Sequence, residues 1–475
     1  MMKFHRNQLK LYAVTDRTWL KGKSLASQVE AAIRGGVTMV QLREKNMEKA
    51  EILKEAKEVQ AVCKKYKVPF LINDYVELAK EIDADGVHIG QGDMAIENAR
   101  AILGPDKIIG VTAKTVEQAK KAEASGADYL GSGAVFGSST KTDALPMEHS
   151  LLQEICESVN IPIVAIGGIT ADNVMQLSGR KMAGVAVVSG IFANEDVEAG
   201  SRKFSELVTK MLGRTTLATA LTIAGSDCSG GAGIQADLKA FMANDVYGMS
   251  VISALTAQNT LGVSAVSEVS KEFLEKQLDC IFTDIFPDAI KIGMVSNKET
   301  MEAIAEKLQY YKVKNLVIDT VMISSSGTRL MSEEALAVMK EKLFPIATLI
   351  TPNIPEAEVL ADCKIHSKED MIKAAERICA VYGCNVLLKG GHQKHTADDL
   401  LFQGGKKVVW FEGKRIQNSN NHGTGCTLSA TIAANLAKGE DVENAVRKAK
   451  QYLTHILGAM LDLGKGSGPM DHRYI

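Results

Sequence analysis

Residues 69–93, PFLINDYVELAKEIDADGVHIGQGD, contain a pattern that the N-terminal half of the chain repeats. An apolar run, Pro69–Asn73, leads into Asp74, and a second, Gly86–Ile89, is followed shortly by Asp93. Short apolar runs of this kind read as strands buried on both faces. Outward from here the unit recurs at Leu11–Thr15, Thr38–Leu42, Ile108–Thr112, Tyr129–Gly133, Ile161–Ile166 and Gly184–Ser189, eight runs in all. The segments between them, such as Met47–Tyr66 and Val116–Ser125, carry apolar residues at helical spacing with Lys and Glu interleaved. Eight β/α units within about 200 residues match the count and the lower length limit of a (β/α)8 TIM barrel.

The chain has 475 residues. Single cores stop growing near ~250–300 residues, so two domains are expected. After the eighth run an amphipathic stretch, Val197–Leu212, precedes a polar break, Gly213-Arg214-Thr215-Thr216, and a new apolar strand begins at Leu217. The expected division is therefore a barrel over 1–212, a linker over 213–216 and a second α/β domain over 217–475. That second part should hold a mostly parallel sheet with an antiparallel hairpin across Asp399–Arg415, and end in two helices starting near Thr424 and Asp441.

Composition narrows the function classes. A formal net charge of -2 argues against nucleic acid or a membrane surface as a bulk partner, so anionic substrates need local sites. No apolar run approaches the roughly 18 residues of a membrane span, and Met1–Leu11 lacks the apolar core of a signal peptide. The 8 cysteines contain no CxxC pair. They read as reduced thiols of a cytoplasmic enzyme. A homo-oligomer is left open.

In the barrel, Gln41, Arg43 and Lys45 alternate along a strand end and share one face. Arg offers phosphate a bidentate fork and Lys a point charge, although a solvated strand end explains the same residues. Asn73-Asp74 and Asp93 supply carboxylates at neighbouring strand ends, as metal ligands or as helix caps. His88 is a ligand, a base or simply a packed side chain. Gly137-Ser138-Ser139-Thr140-Lys141 has the makings of an anion nest, and Gly167-Gly168 and Val188-Ser189 fall where TIM barrels bind phosphate.

The strings QLREK, INDYVELAKEIDADGVHIGQGD, GVTAKTVEQA, GAVFGSSTK, IPIVAIGGI and GVAVVSGIF resemble thiamine phosphate synthase over residues 7–212. The resemblance implies condensation of hydroxymethylpyrimidine diphosphate with thiazole phosphate. It assigns Gln41, Arg43, Lys45, Asn73, Thr112 and Lys141 to the pyrimidine diphosphate. Asp74 and Asp93 go to Mg²⁺, and Ser138, Ser139, Thr140, Gly168, Val188 and Ser189 to the thiazole phosphate. Arg43 and Lys141 stabilise the leaving diphosphate. Thr112 stands where Ser is common in the family, and Ser138 where Thr is common.

In the second part, the Gly-rich turn Ala224–Gly233 is not a Walker loop. Asp237 lies one turn into the following helix. Asn421-His422-Gly423-Thr424-Gly425-Cys426 opens another helix, whose free N–H groups favour a transferring phosphoryl group, and Cys426 there is expected to have a lowered pKa. Asp319 and Lys389 end strands, where open α/β sheets bind ligands. The strings LTIAGSDCSGGAGIQADLKAF, VYGMSVISALTAQNT, AIKIGMV, TPNIPEAEVL, VLLKGGH and NHGTGCTLSA resemble the hydroxymethylpyrimidine and phosphomethylpyrimidine kinase of the ribokinase-like fold, over residues 217–463.

This second resemblance implies ATP-dependent phosphorylation. Asp237 and Gln258 bind the pyrimidine, Lys389, Gly423, Thr424 and Gly425 handle phosphates, Asp319 acts near Mg²⁺, and Cys426 is a base or an anion-hole member. Asp319-Thr320-Val321-Met322 departs from the family's Asp-Pro-Val-Met, which puts the local turn in doubt. A kinase acting mainly on pyridoxal is one alternative. A non-catalytic, regulatory half is another.

Overall fold

The computed structural model describes residues 4–44, 47–137, 147–214, 217–322, 331–391, 398–405, 407–413, 416, 418 and 422–473. The chain forms two compact units, Met1–Thr216 and Leu217–Ile475.

In the first unit, β1 (Leu11–Val14), β2 (Met39–Leu42), β3 (Phe70–Asn73), β4 (Gly86–Ile89), β5 (Ile108–Thr112), β6 (Tyr129–Gly133), β7 (Ile163–Ile166) and β8 (Gly184–Val187) close in sequence order into a barrel. Every neighbouring pair is parallel, including the closing pair β1–β8. The strands are almost wholly buried because side chains fill the lumen on one face and helices cover the other. Tyr12, Met39, Leu71, Tyr129, Val164 and Ala186 belong to one buried cluster.

Helix starts follow side-chain chemistry. Ser24, Thr115 and Asp196 each accept a hydrogen bond from a first-turn backbone N–H. One local expectation shifts. The strand at Gly184 ends at Val187, and Ser189 already opens a one-turn helix, Ser189–Phe192. After Gly168 the chain makes a single 3-10 turn, Val174–Leu177.

The second unit is built on one nine-stranded sheet. Its strands are β9 (Ala218–Asp227), β10 (Val246–Asn259), β11 (Gly262–Glu268), β12 (Ala289–Ile292), β13 (Leu316–Ile318), β14 (Leu349–Ile350), β15 (Asn385–Leu388), β16 (Asp399–Gln403) and β17 (Lys407–Phe411). The spatial order is β11-β10-β9-β12-β13-β14-β15-β16-β17. β10, β9, β12, β13, β14 and β15 run parallel, whereas β11, β16 and β17 are added antiparallel. The hairpin expected over Asp399–Arg415 is β16–β17. The exposed hairpin β10–β11 was not anticipated.

From β9 the chain steps to β10 on one side and later returns to β12 on the other. Such a reversal leaves a crevice at the carboxyl ends of the flanking strands. The helices Gly233–Ala243 and Thr424–Ala437 pack over β9, and their N-terminal loops meet at this crevice.

Candidate active sites

At the rim of the barrel, the carboxyl ends of β2 to β5 carry most of the barrel residues singled out from sequence. Gln41 is buried, and its Nε2 has no partner among the described residues. Arg43 follows β2, with its backbone N–H donating to Thr15 Oγ1 at 3.0 Å. Asn73 Nδ2 donates to Asp74 Oδ2 at 2.6 Å, and Asp74 occupies a left-handed conformation at φ 63°. Asp93 Oδ2 accepts from Gly90 N–H at 2.7 Å. The adjacent helices begin after Tyr75 and Ala95, so neither Asp74 nor Asp93 stands at an N-cap position.

His88 is a packed side chain. Its Nδ1 shares a hydrogen bond with Tyr129 Oη at 2.9 Å, and its Nε2 one with Thr112 Oγ1 at 3.0 Å. Tyr129 Oη lies 2.9 Å from Tyr12 Oη. Burial pushes the imidazole down to about 4, so this chain of side chains is uncharged at neutral pH. Tyr12 and Tyr129 were not identified from sequence, where each reads as one more apolar strand residue. Gly168, Val188 and Ser189 sit beyond β7 and β8. Lys45, Ser138, Ser139, Thr140 and Lys141 lie outside the described residues.

In the second unit, charged groups of alternating sign recur at the crevice. Lys291 Nζ donates to Asp237 Oδ2 at 2.8 Å with both side chains fully buried. Lys389 Nζ donates to Asp319 Oδ1 at 3.0 Å. Burial opposes ionisation of Asp319, but Lys389 and Lys291 overcome it and hold the carboxyl below its ordinary value. Asp319 Oδ2 is buried without a partner among the described residues. Thr320 donates its hydroxyl to Glu356 Oε2 at 2.9 Å, so a side-chain hydrogen bond fixes the turn after Asp319.

The loop before Thr424 approaches this row closely. A Cβ built on Gly425 would stand 3.3 Å from Asp319 Oδ2 and 3.6 Å from Lys389 Nζ. Gly423 adopts φ 81°, and a Cβ there would lie 2.0 Å from Gly231 O, so only glycine lets the two loops touch backbone to backbone. Asp227 ties down the first loop by accepting from the N–H groups of Gly231 and Ala232, and its Oδ2 also meets His422 Nε2 at 3.2 Å. His422 Nε2 is 3.0 Å from Gln258 Nε2, which places Gln258 at the same loop junction.

Cys426 requires a correction. A helix N-terminus was expected to lower its pKa. Part of its surface still reaches solvent, yet it is packed densely enough that burial pushes the thiol up, with Lys291 opposing. The thiol is therefore protonated at neutral pH. Asp237 is also deeper than a helix-surface position suggests, with no exposed surface. Lys291, Asp227 and His422 were not given roles from sequence; only a polar residue inside the apolar run AIKIGMV pointed to Lys291.

Among the described residues, no group of three or more His, Cys, Asp or Glu side chains gathers to hold a metal ion. None of their helices is long and apolar enough to cross a membrane.

Residues 11–191 match the family model described as thiamine monophosphate synthase, and residues 227–471 that of phosphomethylpyrimidine kinase. The thiamine biosynthesis bifunctional protein ThiED of Geobacter sulfurreducens is 43% identical over 97% of this chain and 93% of its own. The hydroxymethylpyrimidine/phosphomethylpyrimidine kinase of Rhizobium meliloti is 49% identical, over 54% of this chain and 97% of its own. Among solved structures, the ADP complex of Bacillus subtilis pyridoxal kinase is 36% identical, covering 55% of this chain and 98% of its own with a TM-score of 0.51. The chain therefore belongs to the bifunctional thiamine biosynthesis family: it is a transferase with a thiamine phosphate synthase barrel followed by a hydroxymethylpyrimidine/phosphomethylpyrimidine kinase that uses ATP as co-substrate.

Proposed function

We propose that the C-terminal unit phosphorylates hydroxymethylpyrimidine and then its monophosphate. The barrel then joins the resulting diphosphate to thiazole phosphate and releases diphosphate. The observation that carries this reading is the Asp319–Lys389 pair set against the N-terminus of the helix Thr424–Ala437. Fixed positive groups and the positive end of a helix converge there, which is what phosphoryl transfer requires.

In this assignment Asp237 and Gln258 hold the pyrimidine, while Lys389, Gly423, Thr424 and Gly425 hold phosphate oxygens. Cys426 keeps its proton and acts as a donor in the anion hole, since its thiol is raised by burial. The unpartnered Oδ2 of Asp319 fits a cation ligand. In the barrel, Gln41, Arg43, Lys45, Asn73, Thr112 and Lys141 hold the pyrimidine diphosphate. Ser138, Ser139, Thr140, Gly168, Val188 and Ser189 hold the thiazole phosphate, and Asp74 and Asp93 offer the carboxylates for a second cation. With so few protein carboxylates at either place, the ion that fits is Mg²⁺ completed by substrate oxygens and water, which would neutralise phosphate charge when bound. Departure of diphosphate calls for stabilisation of the leaving charge, the role of Arg43 and Lys141. Attack by a ring nitrogen calls for no general base.

A one-pot reaction tests the reading. The purified chain is mixed with hydroxymethylpyrimidine, thiazole phosphate, ATP and Mg²⁺, and thiamine phosphate is sought by mass spectrometry, with a parallel arm supplying pyridoxal. Thiamine phosphate is the expected product. Its absence, or turnover of pyridoxal alone, overturns the proposal.

A further inference from the structure

We propose that Lys291, together with Thr222, is a positioning residue for the kinase: the two donors anchor one oxygen of Asp237 and leave the other directed at a hydrogen-bond donor on the pyrimidine. The inference rests on the assignment of Asp237 to the pyrimidine.

The geometry is specific. Asp237 Oδ2 accepts from Lys291 Nζ at 2.8 Å and from Thr222 Oγ1 at 2.6 Å. Asp237 Oδ1 is buried and has no partner among the described residues. A buried carboxylate oxygen without a donor is costly, so an N–H donor of a bound heterocycle is a fitting occupant. Lys291 and Thr222 are register partners on β12 and β9, so their side chains rise from one face of the sheet beneath the helix that bears Asp237. Lys291 Nζ is engaged by Asp237, so it acts on substrate through that carboxylate. A Cβ on Gly293 would stand 2.6 Å from Lys291 Nζ, so glycine at that position leaves the ammonium its place.

The charged and titratable groups around the pair are Cys426 on the helix Thr424–Ala437, Asp319 beyond β13 and, past Asp319, Lys389 beyond β15. Burial pushes the Asp237 carboxyl up, and Lys291 opposes it most strongly. Without Lys291 that opposition is lost, so the carboxyl takes a proton more readily and its accepting oxygen is compromised.

The test is steady-state kinase kinetics on the full chain for Lys291→Met, Thr222→Val, Asp237→Asn and the Lys291→Met/Asp237→Asn double variant, each checked for folding by thermal melt. Lys291→Met is expected to raise the pyrimidine KM roughly tenfold or more, the loss of about one good hydrogen bond, while the ATP KM moves less than about twofold. Its pyrimidine kcat/KM should climb as the pH rises and Asp237 regains charge, a trend absent from the double variant. Thr222→Val should produce a smaller rise in the pyrimidine KM, and decides the matter if Lys291→Met does not fold. Equal rises in both KM values, or a Lys291→Met pH profile like that of the wild type, overturn the proposal. If Asp237→Asn raises the pyrimidine KM while Lys291→Met and Thr222→Val do not, only the positioning role fails. If Asp237→Asn leaves that KM unchanged, the pyrimidine assignment fails and the inference with it.

Discussion

The barrel rim and the kinase crevice hold their charged groups in different ways. At the barrel rim Arg43 and Asp74 are half-buried and Asp93 is exposed, while the interior below them is filled by the neutral chain Tyr12–Tyr129–His88–Thr112. In the kinase the charges are sunk into the sheet and paired with one another: Asp237 with Lys291, Asp319 with Lys389. A rim charge is solvated in the free enzyme, so losing it affects substrate more than fold. A buried pair is part of the core, so losing one member affects both. The contrast predicts that equivalent carboxylate deletions in the two units differ mainly in stability, although both abolish an activity.

The largest combined effect is expected from Asp319→Ala. It leaves Lys389 Nζ without its partner in a buried site, a change that costs on the order of 3–5 kcal/mol when one member of a buried pair is removed. Kinase turnover should fall by about a hundredfold or more, as when a preorganised charge at a reacting phosphoryl group is lost. Calorimetry should show the C-terminal unit melting earlier, and supplied pyrimidine diphosphate should still be condensed by the barrel. A normal melting temperature would mean that the pair is not part of the stabilising core, which breaks the comparison.

Asp93→Ala is the matched experiment at the rim. Condensation should stop while pyrimidine diphosphate accumulates, because the kinase is untouched. Stability should change by no more than about 0.5 kcal/mol, as for exposed positions generally. The hydrogen bond its carboxylate accepts from Gly90 N–H is solvent-accessible and easily replaced by water. Loss of both activities would show that the two units are not independent.

How far the sequence discloses these sites follows from the range of the physics involved. The eight barrel strands were legible because burial on both faces writes a local apolar run, and each predicted run overlaps its strand. Asp319 and Lys389 were legible because a charge at a strand end is conspicuous and a resemblance gave it a role. β11 was missed because Gly262–Glu268 is exposed along its whole length and carries no burial signature. The shift of Cys426 was predicted with the wrong sign for a related reason. A helix N-terminus is visible in sequence, but the desolvation that outweighs it comes from chain far away. Lys291 is hidden in the same way, since its partner Asp237 lies 54 positions earlier.

Glu44 offers the smallest effect and sharpens the comparison, because it is a nearly buried acid beside the half-buried and exposed charges of the barrel rim. It sits beside Arg43, with only 8% of its surface exposed and Oε1 without a partner among the described residues. Burial, joined by the nearby Glu55 and Asp16 and opposed by Arg17 and Arg43, pushes its carboxyl up to about 7. Its folded value exceeds its unfolded one, so the folded state holds this proton more tightly. The resulting stabilisation is present in mild acid and is lost as the pH rises through about 7. Glu44→Gln keeps the shape and removes the titration. The variant should match wild type below the ordinary carboxylate range and gain on it through neutrality, by on the order of 1 kcal/mol by pH 8, less than the full shift implies because water still reaches the group. Melting curves of the two proteins across that range check the sign. If the gap narrows with rising pH, Glu44 is ionised and paired in the folded barrel, and the division between solvated rim and buried crevice gives way at that position.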